Sequence, residues 1–280
     1  MFSSYTLGSH IARIAYIEKL EGESLDQALT ELHQVPLLAE NGCRNVPAGY
    51  VRACGISFGK LHDVVREDPL YKQIFHLVNG GLLVDENVLM NFFLLLKYSI
   101  KEMPGDIVEF GSFRCGTAVF LACVARALGI KGKVYALDTF EGIPHADGRI
   151  DFHTCDDFKD ASFDMVSKII QELHLDNLVL VKGRFQDSFP QICSMLQPLS
   201  LVHVDGVTYS SVKYAINAAL PHMHPRGGYL VIDDALCSSC TGALQAAEEM
   251  VQEHHLNAEQ VWPHLVYRIS KTHESSPAKS

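Results

Sequence analysis

Three aspartates that follow short apolar runs carry the plainest chemistry in this chain. LVHVDGVTY sets Asp205 after one run, and YLVIDDA sets Asp233 and Asp234 after another. If those runs are strands of one sheet, the carboxylates meet on one rim, where they would repel and raise one another's pKa unless they shared a divalent cation. An all-oxygen set suits Mg2+, with Mn2+ and Ca2+ as alternatives. The competing reading makes the Asp-Asp pair a cap for the next helix. Asp138 closes a further run, KVYALD. There it can accept hydrogen bonds from both hydroxyls of a ribose, or serve as a turn residue or helix cap.

The element that must position these groups is GDIVEFGSFRCGTAVFLACVARALG, residues 105–129. Ile107, Val108 and Phe110 have the bias of a buried strand. Ala118, Phe120, Leu121, Val124, Ala125 and Leu128 then recur at helical spacing. Gly111 and Gly116 bracket the turn between them, and a glycine at Gly111 allows torsions or a close approach that a Cβ would forbid. GSFRCGT has no lysine before its threonine, which argues against a P-loop, and it is not G-x-G-x-x-G. The spacing from Gly111 to Asp138 also exceeds the roughly 20 residues of a dinucleotide fold. A nucleotide-like ligand other than a dinucleotide is the expectation, beside a purely structural βα turn.

Around this unit the pattern alternates strand and helix. Strands are predicted at 134–137, 178–181, 201–204, 229–232 and 265–269. Helices are predicted from Phe163 to Leu173, around 192–196, at 212–220 and through Leu244, Ala247 and Val251. Such an order implies an open, mostly parallel sheet with helices on both faces, an α/β fold whose ligands gather at the carboxyl ends of the strands. Residues 1–84 read as helical, with a capping-box pattern at Ser24 and Gln27 and a turn-rich break at 36–49. They are expected to form a lid over the site or a homodimer contact. Residues 85–270 are expected to be the catalytic domain, entered by an apolar helix through Val88, Phe92, Phe93 and Leu96, and 271–280 a disordered tail.

A net charge of −10 argues against general affinity for nucleic acid or anionic membranes. The first 22 residues lack the apolar core of a secretory signal, and no run approaches a membrane span, so the expectation is a soluble, cytoplasmic protein. The eight cysteines are scattered, which suits reduced thiols. Only Cys237 and Cys240 have metal-like spacing, and a single Cys-x-x-Cys lacks the second pair of a structural zinc site.

The ordered motifs GDIVEFGSFRCG, LDTFEGIP, VKGRFQDSFP, HVDGVTY and VIDDA, with DDFKDASFDMVSKIIQELHLDN between the second and third, resemble the macrocin O-methyltransferase (TylF-like) family of S-adenosylmethionine-dependent enzymes. The resemblance spans roughly residues 85–270. It implies a class I methyltransferase fold, Rossmann-like, a bound Mg2+ and methylation of hydroxyls, commonly on sugars of natural products. By position, Glu109, Gly111 and Ser112 match the turn around the methionine part of the cofactor. Asp138 and Thr139 match its ribose motif, Gln186 and Asp187 the region near adenine, and Asp205, Asp233 and Asp234 the metal ligands.

One departure bears on mechanism. The family pattern H-x-D-x-D-x-Y places a second aspartate, the base for the substrate hydroxyl, where this chain has Val207, while His203, Asp205 and Tyr209 are kept. Proton removal is then expected to fall to Asp205 and the metal with His203, or His145, as acceptor, and to favour acidic hydroxyls such as phenols. The contrasting reading is a protein of the same fold that binds the cofactor without methylating. A nicotinamide dehydrogenase rests on fold analogy alone. Cys115 stands where the family commonly has glycine and is expected only to narrow the turn.

Overall fold

The computed structural model describes residues 61–78, 84, 86–237, 239–256, 258–261 and 264–269. Its sheet has seven strands among these residues: β1 (Asp106–Phe110), β2 (Val134–Asp138), β3 (Leu178–Lys182), β4 (Leu199–Val204), β5 (Gly228–Ile232), β6 (Ala258–Val261) and β7 (His264–Ile269). The order is β3-β2-β1-β4-β5-β7-β6. The first five are parallel, while β7 runs antiparallel to β5 and pairs antiparallel with β6. Strand order reverses between β1 and β4, and a crevice at the carboxyl ends of those strands is where such sheets bind ligands.

The period of two along each strand divides the core. Ile107, Val134, Ala136, Leu201 and Val231 face one side, whereas Val108, Phe110, Tyr135, Leu137, Val202, Val204 and Ile232 face the other. The first side is covered by α1 (Leu61–Glu67), α2 (Pro69–Val78), α3 (Glu86–Tyr98), α4 (Gly116–Ala127) and α5 (Phe163–Glu172). The second is covered by α6 (Phe185–Ile192), α7 (Tyr209–Ala219) and α8 (Thr241–His254). Phe92, Phe93 and Leu96 of α3 are fully buried, as the apolar spacing requires. Each such side chain stabilises the fold by about 1.5–3 kcal/mol relative to exposure. Among the described residues, no helix is long and apolar enough to cross a membrane.

Some boundaries differ from the sequence pattern. The helix expected around 192–196 is α6, which starts at Phe185 and carries Pro190 inside it, followed by a 3-10 turn at Cys193–Met195. Proline and the polar FQDS start concealed it. β6 adds a short strand, AEQV, whose pattern carried no strand signal. The first two helices belong to the segment expected to be a lid or dimer contact, yet Tyr71, Ile74 and Val78 are buried in the first core. The Tyr71 ring lies 5.5 Å from Phe93 and 5.9 Å from Phe120. The stretch 61–78 is therefore core wall. Ser24, Gln27, the break at 36–49, Asp85 and the tail 271–280 lie outside the described residues.

Candidate active site

Backbone hydrogen bonds at the strand ends fix the rim on which the site is built. Gly111 N–H donates to Leu137 O at 2.9 Å, Asp205 N–H to Phe110 O at 2.9 Å, and Asp233 N–H to Val204 O at 3.0 Å. The ends of β1, β2, β4 and β5 are thereby held side by side. Gly111 has φ +92, and a Cβ there would stand 2.1 Å from Asp205 O. Only glycine fits, because the β1 turn touches the backbone of the metal-motif strand. The next residues are strained too: Phe113 and Cys115 take left-handed φ values of 46 and 59, as do Phe140 (54) and Phe158 (61) nearby. Cys115 thus does more than narrow the turn, since it adopts a conformation for which glycine is favoured. Such strain concentrates at ligand sites.

The turn opens onto a cavity of about 530 Å3. Gly111, Ser112, Asp138 and Thr139 line one end, with Gln186 and Asp187 from the first turn of α6. Asp205, Asp233 and Asp234 line the rest. The buried Ser112 Oγ finds no hydrogen-bond partner among the described residues beyond the weak thiol of Cys115. Asp138 accepts from Phe113 N–H at 2.8 Å and from Phe140 N–H at 2.7 Å, one on each oxygen. Thr139 Oγ1 adds a longer contact to Oδ1 at 3.4 Å, and the Ser112 N–H also bonds the carboxylate. Burial raises its pKa despite these donors.

At the other end, burial and the charges of Asp233 and Asp234 push Asp205 well above the usual carboxylate range. Asp234 is pushed up to about 6 by burial and by Asp233, although a hydrogen bond with Asp205 opposes the shift. His203, Asp205 and Asp233 each place one ligand atom within 4.8 Å of the other two, a set that could hold a divalent cation, and Asp234 adjoins it through its hydrogen bond with Asp205.

Two of the expected residues do not reach the cavity. Glu109 and His203 are register partners on β1 and β4 and point to the same face, where both are fully buried. Glu109 Oε1 lies 3.0 Å from His203 Nδ1, and His203 Nε2 lies 3.8 Å from Asp233 Oδ1, with Phe92 packed edge-on against the imidazole. Burial opposes charge on His203, but its contacts with Asp233 and Glu109 prevail and hold its pKa well above the ordinary histidine range. Protonated His203 thus places a buried positive charge between Glu109 and Asp233, beneath the carboxylates. Tyr209 is also turned away, its hydroxyl donating to Glu249 Oε2 at 2.5 Å and accepting from Lys213 Nζ at 3.0 Å.

The connection from β2 to α5 supplies groups that periodicity could not reveal. Buried Asp151 accepts from the N–H groups of Tyr209 and Asp147 at 2.8 and 2.9 Å, and Thr241 Oγ1 donates to Ile150 O at 2.8 Å. The loop is thereby pinned over the starts of α7 and α8. It delivers His145, His153 and Phe158 to the cavity wall. His153 Nδ1 lies 3.3 Å from Asp157 Oδ2. Val207 lines the same wall.

Comparison with known proteins agrees with this architecture. Residues 92–262 match the family described as Macrocin-O-methyltransferase (TylF). Over 164 residues the chain is 30% identical to the 8-demethyl-8-(2,3-dimethoxy-alpha-L-rhamnosyl)-tetracenomycin-C 4'-O-methyltransferase of Streptomyces olivaceus, covering 53% of this chain and 62% of the relative. It is 25% identical over 169 residues to the mycinamicin III 3''-O-methyltransferase of Micromonospora griseorubida, covering 56% and 64%. Both alignments thus span less than two thirds of the relative. The fold is shared with the O-methyltransferase NovP, at a TM-score of 0.59 and 21% identity over 66% of this chain and 80% of that one.

Proposed function

Because the chain belongs to the macrocin-O-methyltransferase family, we propose that it methylates a hydroxyl of a small natural-product molecule, using S-adenosylmethionine and a divalent cation, Mg2+. The observation that carries this reading is that one cavity is bounded at one end by the Gly111–Ser112 turn and Asp138, and at the other by Asp205, Asp233 and Asp234. The cofactor supplies an electrophilic methyl carbon on sulfur. Ser112 would hydrogen-bond its methionine part, Asp138 would accept from its ribose hydroxyls, and Gln186 and Asp187 would lie near its base. A dication held by the three aspartates supplies charge that lowers the pKa of an acceptor hydroxyl.

The residues of this chain then orient and deprotonate. Alignment of the acceptor oxygen with the methyl carbon and sulfur provides much of the acceleration. Among the expected acceptors of the proton, His203 sits below the cavity floor as a buried cation. His145 and His153 both line the cavity, and at His153 Asp157 engages Nδ1, leaving Nε2 to take a proton. This arrangement replaces the family aspartate at Val207 and extends the acceptors from phenols to sugar alcohols, the kind of group named for the tetracenomycin relative.

Isothermal titration with S-adenosylmethionine and its demethylated product, with and without Mg2+, tests the reading. We expect binding of both and a metal-dependent turnover of a hydroxylated acceptor; folded protein that binds neither sinks it. Val207 favours a second reading, cofactor binding without methylation. That reading predicts unaltered cofactor affinity with no labelled methyl transferred to a broad panel of sugar and phenolic acceptors.

A further inference from the structure

The Cys-Ser-Ser-Cys stretch has no part in the proposed reaction, yet both of its cysteines face the cavity. Asp234 opens the 3-10 turn Asp234–Leu236, and Cys237 caps its end. Cys240 N–H then donates to Cys237 O at 3.1 Å, folding the two cysteines into one turn at the start of α8. One ligand atom from each of Asp234, Cys237 and Cys240 lies within 4.8 Å of the other two. Ser239 Oγ sits between the thiols, 3.2 Å from Cys237 Sγ and 3.7 Å from Cys240 Sγ.

A tetrahedral zinc site has Zn–S of about 2.3 Å and Zn–O of about 2.0–2.2 Å, so its ligand atoms stand roughly 3.3–3.8 Å apart. Ligation would close the present separation, within 4.8 Å, to that spacing, and Cys237, being exposed, has room to turn. The sequence alone offered two sulfurs and no second pair. The turn adds the carboxylate three residues before the first of them.

We propose that Asp234, Cys237 and Cys240 form a binding site for a thiophilic divalent cation, Zn2+ in particular, with its fourth position open to the cavity. The assignment is independent of whether the protein transfers methyl groups. Asp234 is common to this site and to the all-oxygen set, so the two compete for one carboxylate. Hard Mg2+ prefers Asp205, Asp233 and Asp234, whereas a softer cation draws Asp234 toward the thiolates. Binding releases the thiol protons, since the ligand form of cysteine is the thiolate. Zn2+ bound in this way would displace Mg2+ and narrow the acceptor end of the cavity.

Co2+ is the probe, because thiolate ligation gives a near-ultraviolet charge-transfer band that oxygen ligands do not. The reduced, metal-free full chain is titrated with Co2+ and then with Zn2+. We expect a band that saturates near one equivalent, disappears as Zn2+ is added, is lost in Cys237→Ser and persists in Asp205→Asn. Circular dichroism checks that both variants are folded; Cys237 is exposed, so its replacement leaves the core intact. No band in the wild type, an undiminished band in Cys237→Ser, or loss of the band in folded Asp205→Asn would each overturn the assignment.

Discussion

At the scale of single residues, the site depends on which side chains the backbone lets into the cavity. Glu109 and His203 carry the chemistry expected of a cofactor contact and a base, yet strand register turns both into the layer below. His153 carries the same imidazole, and a loop presents it at the wall with a carboxylate behind it. We therefore predict that His153→Gln lowers kcat about 100-fold toward a sugar alcohol while leaving S-adenosylmethionine affinity within about twofold, as loss of a general base should. Adding Val207→Asp should restore part of that loss, because it returns a carboxylate to the position the family uses. The check is turnover and cofactor titration of the single and double variants. Unchanged kcat in His153→Gln would remove this histidine from the mechanism.

At the scale of elements, the long β2–α5 connection is a working part of the site held by a few polar contacts. Connections of this length are uncommon unless they serve function. Asp151 is buried and joins the loop to the first N–H of α7, while Gly242 allows the start of α8 to approach, since a Cβ there would stand 2.1 Å from Asp151 Oδ1. Replacing Asp151 by alanine removes the shared acceptor of the Tyr209 and Asp147 N–H groups, at a cost of about 1–3 kcal/mol. Asp151→Ala should speed proteolytic cleavage within 145–162 and lower kcat, because the loop carries His153 to the cavity wall, and should weaken cofactor binding to the extent that Phe158 steadies Phe113 in the β1 turn. Limited proteolysis with mass spectrometry, together with kcat and cofactor affinity, decides this. A loop as resistant as in the wild type would mean that Thr241 and the remaining contacts hold it alone.

For the molecule as a whole, the carboxylate rim ties stability to pH and to metal. Asp234 has a folded-state pKa of about 6, above the value near 4 of an unfolded aspartate. Between those values the folded chain holds the extra proton, so stability from this group is fully present below pH 4 and declines as pH rises toward 6. The slope is at most about 1.4 kcal/mol per pH unit. A cation that binds the ionised rim opposes the decline. We predict that the gain in Tm on adding Mg2+ is small at pH 5 and larger at pH 7, and that Asp234→Asn reduces the gain at pH 7. Thermal unfolding at both pH values with and without Mg2+ tests this; an equal gain at pH 5 and 7 would place the cation elsewhere.

What the sequence by itself determined was the part governed by local pattern. Apolar runs of period two and 3.6 predicted β1, α3, α4 and the parallel order, and aspartates closing three of those runs marked the rim, because a strand end fixes where its next residue must lie. Gly111 was legible for the same reason, as a turn that needs a missing Cβ. The tertiary structure alone decided what depends on neighbours distant in sequence. Pairing of β1 with β4 sent Glu109 and His203 into the core together, and packing of Tyr71 on Phe93 and Phe120 made 61–78 a wall. No periodicity marks His153 or the approach of Asp234 to two cysteines, since a loop and a 3-10 turn obey contacts rather than a repeat. Those contacts form only when β2, α7 and α8 have already been brought together.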